Sequence, residues 1–288
     1  MKTYLKILTL LFIAASLCSN SKETIQNYTL EKAISSNAVF AHFDCNTNSV
    51  HYEKPLLAKI KNRTNVPIQI EIPAGTWFQA KNNKEQNIVT TRPRLIKLLS
   101  GAATSIALQG NCMEANDIAG SEGSQYVYKG RVSLVLQRLI DYLTKNKITA
   151  NLGQQAVWCI TDNKGLENIY DSDNAAAEKL RSKVSTLLNK PLPNPKIFNG
   201  YAYNYNAKPK VEVKGKFNMS FGRNCNMAIA MFDENGTVVR ELFRNQNLPA
   251  GKHSLTYSFD NSVYTNDKYI IRAIKNGNII FTRVIDLT

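Results

Sequence analysis

The 288-residue chain lacks the sequence patterns by which common enzyme classes are recognised. It contains no Gly-x-Ser-x-Gly nucleophile elbow, no phosphate-binding loop and no His-Glu-x-x-His metal helix. No run of five or more like charges occurs, and no basic stripe is interleaved with aromatic residues, so the chain is not expected to bind nucleic acid. We therefore predict a non-enzymatic protein without a cofactor. A secreted hydrolase stays an alternative, because a pair of catalytic carboxylates can come from distant positions.

Long apolar runs are also scarce, with one exception near the start. Lys2 and Lys6 lead into an apolar segment over residues 7–17, which a polar stretch follows. A membrane helix needs about 20 apolar residues, so this pattern indicates a secretory signal over residues 1–18 rather than a permanent anchor. Two outcomes stay open: cleavage after Cys18, or lipidation of Cys18 with attachment to the envelope.

The composition is basic, with 36 Lys and Arg against 22 Asp and Glu and a formal net charge of +14. Loss of the signal removes two of these positive charges. Such a balance favours anionic partners. We expect an unknown surface ligand, either a protein or an anionic polysaccharide, and contact with a membrane only if Cys18 carries lipid. The expected location is extracellular or the cell surface, with a periplasmic protein or an outer-membrane lipoprotein as alternatives.

Four cysteines remain after the predicted signal: Cys45, Cys112, Cys159 and Cys225. In an oxidising compartment an even number indicates disulfides, but four cysteines allow three pairings and the sequence does not choose among them. Their spacing matches no zinc motif.

A proline-rich linker over residues 191–195 divides the remaining chain into domains at 22–190 and 196–288. After a helix near residues 24–35, the first domain shows short apolar or alternating runs that predict strands at 38–43, 56–61, 67–72, 87–91, 94–99 and 104–109. Apolar residues at helical spacing then predict helices over 132–143, 153–161 and 177–188. The first domain is therefore predicted to be α+β, with strands followed by helices.

Apolar and polar residues alternate throughout the second domain. This pattern predicts six strands, at 210–213, 227–232, 237–243, 253–259, 269–274 and 279–284. The pairs Asn235-Gly236 and Asn276-Gly277 lie between neighbouring runs and favour tight hairpins. This pattern is typical of an all-β, immunoglobulin-like sandwich.

Residues 154–162, Gln-Gln-Ala-Val-Trp-Cys-Ile-Thr-Asp, resemble the second signature of bacterial thioester adhesin domains, Thr-Gln-x-Ala followed by an apolar residue, Trp and often Thr-Asp. In that family this glutamine is bonded to an earlier cysteine. The resemblance implies a thioester between Cys112 and Gln154, although Gly153 stands where the family has threonine and Asn111 where it has an aromatic residue. The alternative is that the resemblance reflects the fold alone. Cys112 and Cys159 would then form a disulfide, remain buried thiols or pair in another way.

Three segments of the second domain resemble the carboxy-terminal sorting domains of type IX-secreted proteins and, more distantly, flagellar hook-capping proteins. They are Met-Phe-Asp-Glu-Asn-Gly-Thr-Val-Val-Arg at 231–240, Leu-Pro-Ala-Gly-Lys-His-Ser-Leu at 248–255 and Tyr-Ile-Ile-Arg at 269–272. Asp267 replaces a glycine usual in such domains. The resemblance implies contact with the secretion machinery, and a plain structural sandwich is the alternative.

The best nucleophile and base candidates are His42, Asp44, Cys45 and His51. On a strand Cys45 would face away from His42 and Asp44, which disfavours catalysis. His42 and His51 across a hairpin are weak candidates for a metal site, and a solvated pair of strands explains them equally well.

Overall fold

The computed structural model describes residues 24–148, 150–171, 174–193, 212–260, 264 and 266–287. The predicted signal, with Cys18, lies outside these ranges, as do the last two linker residues, 194 and 195. Of the described residues 46% are in strands and 20% are helical, which confirms a β-rich protein with several sheets. No helix in these ranges combines the length and apolar character that crossing a bilayer requires.

The described residues up to 193 form ten strands, four helices and one 3-10 turn. The strands are β1 (Gln26–Thr29), β2 (Val39–Cys45), β3 (Leu56–Asn62), β4 (Ile68–Ile72), β5 (Thr76–Ala80), β6 (Ile88–Thr90), β7 (Arg94–Leu98), β8 (Ala103–Leu108), β9 (Gly110–Cys112) and β10 (Gln125–Arg131). The helices are α1 (Leu30–Ser35), α2 (Leu134–Lys145), α3 (Ala150–Thr161) and α4 (Asn174–Leu188), with a 3-10 turn at Leu166–Asn168.

These strands build two sheets around one apolar core. The larger sheet has the order β8-β3-β2-β10-β5-β6-β9, and the smaller one has the order β1-β4-β7. Successive side chains of a strand point to opposite faces of the sheet. In β4, Ile68, Ile70 and Ile72 are therefore completely buried, while the polar residues between them point outward. The six strands predicted before residue 110 are present. The predicted helix at 24–35 is shorter, because Thr29 accepts a hydrogen bond from the Lys32 N–H and starts α1 only after β1 has ended.

Helices α2, α3 and α4 pack together on a second apolar cluster. Ser133 caps α2 by accepting from the Leu136 N–H, and one face of that helix buries Leu136, Leu139, Ile140 and Leu143. This packing fixes α3, which begins three residues earlier than the sequence pattern predicts and is buried over most of its length.

The later part of the chain is all strand in the described ranges. Its strands are β11 (Glu212–Phe221), β12 (Cys225–Phe232), β13 (Val238–Leu248), β14 (Gly251–Asp260), β15 (Lys268–Lys275) and β16 (Asn278–Asp286). They form a two-stranded sheet, β11-β14, and a four-stranded sheet, β13-β12-β15-β16, and all the pairs are antiparallel. Apolar side chains from both sheets share one cluster.

The two Asn-Gly pairs form different turns. Asn276 and Gly277 both have positive φ, 50° and 77°, as a two-residue hairpin requires. In the pair Asn235-Gly236 only the glycine has a positive φ, which is 76°. There the Asp233 carboxylate accepts the Thr237 N–H at 2.9 Å and supports a longer loop.

The two parts of the chain share a hydrophobic core. Ala228, Ala230, Phe232 and Val238 belong to the same buried cluster as the β-sheet residues of the first part. Polar contacts join them as well, including an ion pair between Arg244 and Glu53 with an N–O distance of 3.3 Å. The apolar contact between the two parts is therefore continuous, and the second part also has a cluster of its own.

Candidate functional site

Strand β9 and helix α3 bring Cys112 and Gln154 into direct contact. Cys112 ends β9 at the rim of the larger sheet, and Gln154 lies one turn into α3. Both side chains are completely buried, and the Cys112 sulfur lies 3.4 Å from Oε1 of Gln154. The two residues that the thioester resemblance pairs are therefore neighbours in the fold, although 42 positions separate them in the chain.

Three donors converge on the carboxamide oxygen of Gln154. They are the backbone N–H of Cys112 at 2.9 Å, Nδ2 of Asn111 at 3.2 Å and the Cys112 thiol. The amide nitrogen of Gln154 donates to the Cys112 carbonyl at 2.8 Å, which fixes the orientation of the group. Donors directed at a carbonyl oxygen stabilise the negative charge that develops there when a nucleophile adds to the carbonyl carbon. Asn111, a departure from the adhesin pattern, supplies one of them.

His51 contacts the sulfur from the other side. Its Nδ1 lies 2.9 Å from the Cys112 sulfur, and its Nε2 accepts a hydrogen bond from the Val238 N–H at 3.0 Å. Because a backbone N–H can only donate, Nε2 carries no proton, and a neutral imidazole then holds its proton on Nδ1. The ring stacks on Trp158 at a centroid distance of 5.8 Å. His51 is thus a donor to the sulfur.

Burial keeps these groups uncharged. It lowers the pKa of His51 to about 3, and the positive charge of Arg272 contributes in the same direction. It also raises the pKa of the Cys112 thiol well above its usual value, an effect that Glu114 reinforces and the Trp158 indole N–H opposes. At neutral pH the site therefore contains a thiol and a neutral imidazole, and it does not contain a thiolate paired with an imidazolium.

One face of α3 holds the cysteine segment in place. Besides Gln154, the hydroxyl of Thr161 donates to the Met113 carbonyl, and the Asp162 carboxylate accepts the Ala115 N–H. Positions 154, 158, 161 and 162 follow helical spacing, so they share this face. Gln154, Trp158, Thr161 and Asp162 of the segment that resembles the adhesin signature thus each contact the Cys112 strand, its extension or His51.

The Cys112–Cys159 disulfide is not formed in the structure, and all four described cysteines are free. Cys159 lies one position beyond Trp158, so the helix turns its sulfur away from β9, and the thiol instead donates to the Gly165 carbonyl at 3.4 Å. The side chains of Cys112 and Cys159 therefore point into different surroundings, although both thiols are buried.

The structure does not bring the weak metal candidates together. His42 bonds Asp44 through its Nε2 at 2.7 Å, and Lys59 bonds the other oxygen of Asp44 at 2.8 Å. Both ring nitrogens of His51 are already occupied by Cys112 and Val238. No cluster of three potential metal ligands occurs in the part of the chain that the structure describes. The Cys45 sulfur packs beside Gly120.

The roles of His51 and Asn111 were missed at the sequence level. Asn111 is next to Cys112 in the sequence, so its place beside the site was predictable. His51 lies far from both site residues in the chain, so no sequence pattern indicated its contact with Cys112. Packing explains the glycine at position 153, because a Cβ built there would lie 3.3 Å from Leu143 of α2.

Comparison with protein-family models, with curated protein sequences and with solved structures gives no match. Any function must therefore be inferred from the site itself.

Proposed function

We propose that this protein is an exported, adhesion-type binding protein whose Cys112 and Gln154 form an internal thioester that captures a nucleophile on another surface. The observation that supports this most directly is the buried contact between the Cys112 sulfur and a carboxamide whose oxygen accepts three hydrogen bonds. The segment that resembles the thioester adhesin signature supplies the glutamine. This proposal concerns a single covalent capture and does not require turnover.

The chemistry balances with the groups present. The Cys112 sulfur adds to the carboxamide carbon of Gln154, the carbon–nitrogen bond breaks, and the thiol proton leaves with the amide as ammonia. Capture is a second acyl substitution at the same carbon: an amine or hydroxyl adds to it, the carbon–sulfur bond breaks, and the proton of the nucleophile passes to the sulfur. The products are an amide or ester at position 154 and a free Cys112 thiol.

The neighbouring groups suit a thioester better than a thiol hydrolase. A hydrolase needs an imidazole that accepts the thiol proton, whereas Nδ1 of His51 already carries a proton and donates toward the sulfur. A donor in this position stabilises the sulfur as the leaving group during capture. Burial of the site also excludes water, which would otherwise hydrolyse the thioester.

The wider context of the proposal comes from the sequence. We propose export through the predicted signal, with lipid attachment at Cys18 as the alternative form. We further propose that the described residues up to 193 are an α+β adhesin-like domain. The strands β11–β16 are proposed to be an immunoglobulin-like sandwich for sorting or docking. Their two facing sheets and the Asn276-Gly277 hairpin are compatible with this assignment.

Intact mass spectrometry of the purified full-length product tests the thioester. We expect the wild-type protein to be lighter than its formula by one ammonia molecule, and we expect methylamine to add to it at Gln154. The Cys112→Ala variant should have its full formula mass and should take up no methylamine. Cys159→Ala is the matched control, because it removes another buried thiol from the same region and should behave as wild type.

A wild-type mass that matches the formula, together with no methylamine adduct, would reject the proposal. This outcome needs no variant, so a folding defect in Cys112→Ala does not weaken the test. Loss of two hydrogens instead of ammonia would indicate a disulfide, and a large gain would indicate lipid at Cys18.

Asn111 provides a quantitative prediction. Removing one donor from a carbonyl oxygen that gains charge typically slows a reaction by about a hundredfold or more. We therefore expect Asn111→Ala to slow methylamine uptake by about that factor, as followed by mass over time. Gln155→Ala, next to Gln154 and half-buried, should leave the rate unchanged. Equal rates for the two variants would show that Asn111 plays no part in the chemistry.

A further inference from the structure

A polar cavity of about 360 Å³ lies between the two parts of the chain, beside the Cys112–Gln154 contact. Its wall includes Asn111, which donates to the Gln154 carboxamide, and Ala150, whose carbonyl accepts from the same asparagine at 3.3 Å. It also includes Gly153, the residue that precedes Gln154. The cavity is large enough for a small ligand.

The charges around the cavity favour an anion. Arg92 and Lys147 border it from the strand and helix side, and neither forms an ion pair with any described residue. One guanidinium nitrogen of Arg92 donates to the Thr144 carbonyl at 2.9 Å, which positions the side chain at the end of α2. Glu53 is the one carboxylate among the described lining residues, and it pairs with Arg244, which also pairs with Glu241. The cavity therefore has a net positive charge.

The remaining polar groups favour hydroxyls. Gln109, Asn226 and Gln246 present amides on different sides of the cavity, and an amide can both donate to and accept from a hydroxyl group. Tyr52 borders the cavity as well, and its buried hydroxyl has no partner among the described residues. Several neutral donors and acceptors around a cationic pair match a ligand with many hydroxyls and one acidic group.

We propose that this cavity binds a carboxylated saccharide, such as a uronic acid unit of an acidic polysaccharide, and presents its hydroxyl to the Gln154 carbonyl carbon. This proposal rests on the proposed function, since it names the acceptor of the thioester. The carboxylate faces Arg92 and Lys147, and a hydroxyl attacks the carbonyl carbon. The carbon–sulfur bond breaks, the hydroxyl proton passes to the Cys112 sulfur, and the saccharide remains attached through an ester.

The test uses the full-length Cys112→Ala variant, which retains the cavity and cannot form a thioester. Digalacturonic acid is titrated in a calorimeter or by NMR, and neutral galactobiose serves as the matched ligand. We expect the acidic disaccharide to bind at least about tenfold more tightly than the neutral one, a difference equivalent to one charge-assisted contact. Adding Lys147→Gln should abolish most of that preference. Lys145→Gln, an exposed lysine nearby that does not line the cavity, should not.

Equal affinity for the two disaccharides, no binding of either, or an equal effect of the two lysine variants would overturn the proposal. The outcome is separable from that for the thioester. Loss of ammonia in the wild type without saccharide binding in Cys112→Ala would reject the cavity proposal and keep the thioester. Saccharide binding without loss of ammonia would reject the thioester and the ester-forming step, and would keep only the binding of an acidic saccharide in the cavity.

Discussion

At the scale of single residues, the site depends on a histidine whose protonation is suppressed by its surroundings. His51 is buried against Trp158 and Phe232, and both of its nitrogens are engaged. Its neutral form is therefore part of the folded state. Protonation would place a charge in an apolar site and would break the bond from the Val238 N–H to Nε2.

This arrangement predicts how stability depends on pH. The pKa of His51 is about 3 when folded, against about 6.5 in an unfolded chain, so between these values only the unfolded chain binds the proton. The contribution of the neutral ring is complete above about pH 6.5 and is lost as the pH falls toward 3. It amounts to at most about 5 kcal/mol.

Urea unfolding at a series of pH values measures this contribution. We expect the free energy of unfolding of the wild type to fall from pH 6.5 to 3 more steeply than that of His51→Gln. His253→Gln, which removes a half-buried imidazole of β14 outside the site, should retain the wild-type slope. Parallel curves for the wild type and His51→Gln would contradict the buried neutral ring.

At the scale of secondary-structure elements, the sequence predicts much of the fold. The runs in β3 and β4 alternate clearly, and the apolar stripe of α2 follows helical spacing, so these elements were predictable from local patterns. Strands β1, β5, β9 and β10 were missed. β9 has only three residues, and β10 mixes polar and apolar side chains on both faces, so tertiary pairing rather than local pattern determines them.

The candidate site was likewise predictable from the sequence only in part. Cys112 and Gln154 could be selected from the sequence because the segment after Gln154 carries a recognisable pattern. His51 was a candidate base or metal ligand from the sequence, but its contact with the Cys112 sulfur was not predictable, since that contact depends on how the loop before β3 packs under β12 and β13. Contacts between elements distant in sequence leave no periodic signal.

The hairpin between β15 and β16 gives a prediction at this scale. Gly277 has φ 77°, and a Cβ there would lie 3.2 Å from the Glu53 carboxylate and from the Lys54 side chain. Gly277→Ala should therefore lower the free energy of unfolding by about 1–2 kcal/mol, from the backbone conformation and the contact together. Gly222→Ala is the control, because that glycine has open space around it and no positive φ. Equal melting temperatures for the two variants would contradict this account of the turn.

At the scale of the whole molecule, the two parts of the chain are joined by a buried ionic group. Arg244 of β13 bonds Glu241 at 2.5 Å and Glu53 of the first part at 3.3 Å, and all three side chains are at most 10% exposed. Removing the cation would leave two carboxylates buried without compensation, which usually costs about 3–5 kcal/mol.

We therefore expect Arg244→Met to destabilise both parts together. Hydrogen exchange followed by mass spectrometry should show faster exchange in β3 of the first part and in β12 of the second. Lys214→Met removes an exposed cation that pairs with Glu212, and it should change stability by less than about 1 kcal/mol. Faster exchange confined to β12 would show that the two parts unfold independently, contrary to their shared apolar cluster.

The hydrogen bond from the Val238 N–H to His51 also bears on the order of events during biosynthesis. The ribosome adds Val238 long after Cys112 and Gln154, so a nascent chain that already contains both of these residues still lacks the group that selects the imidazole tautomer. The sulfur and the carboxamide therefore meet their final surroundings only after β13 has been translated and has folded over them.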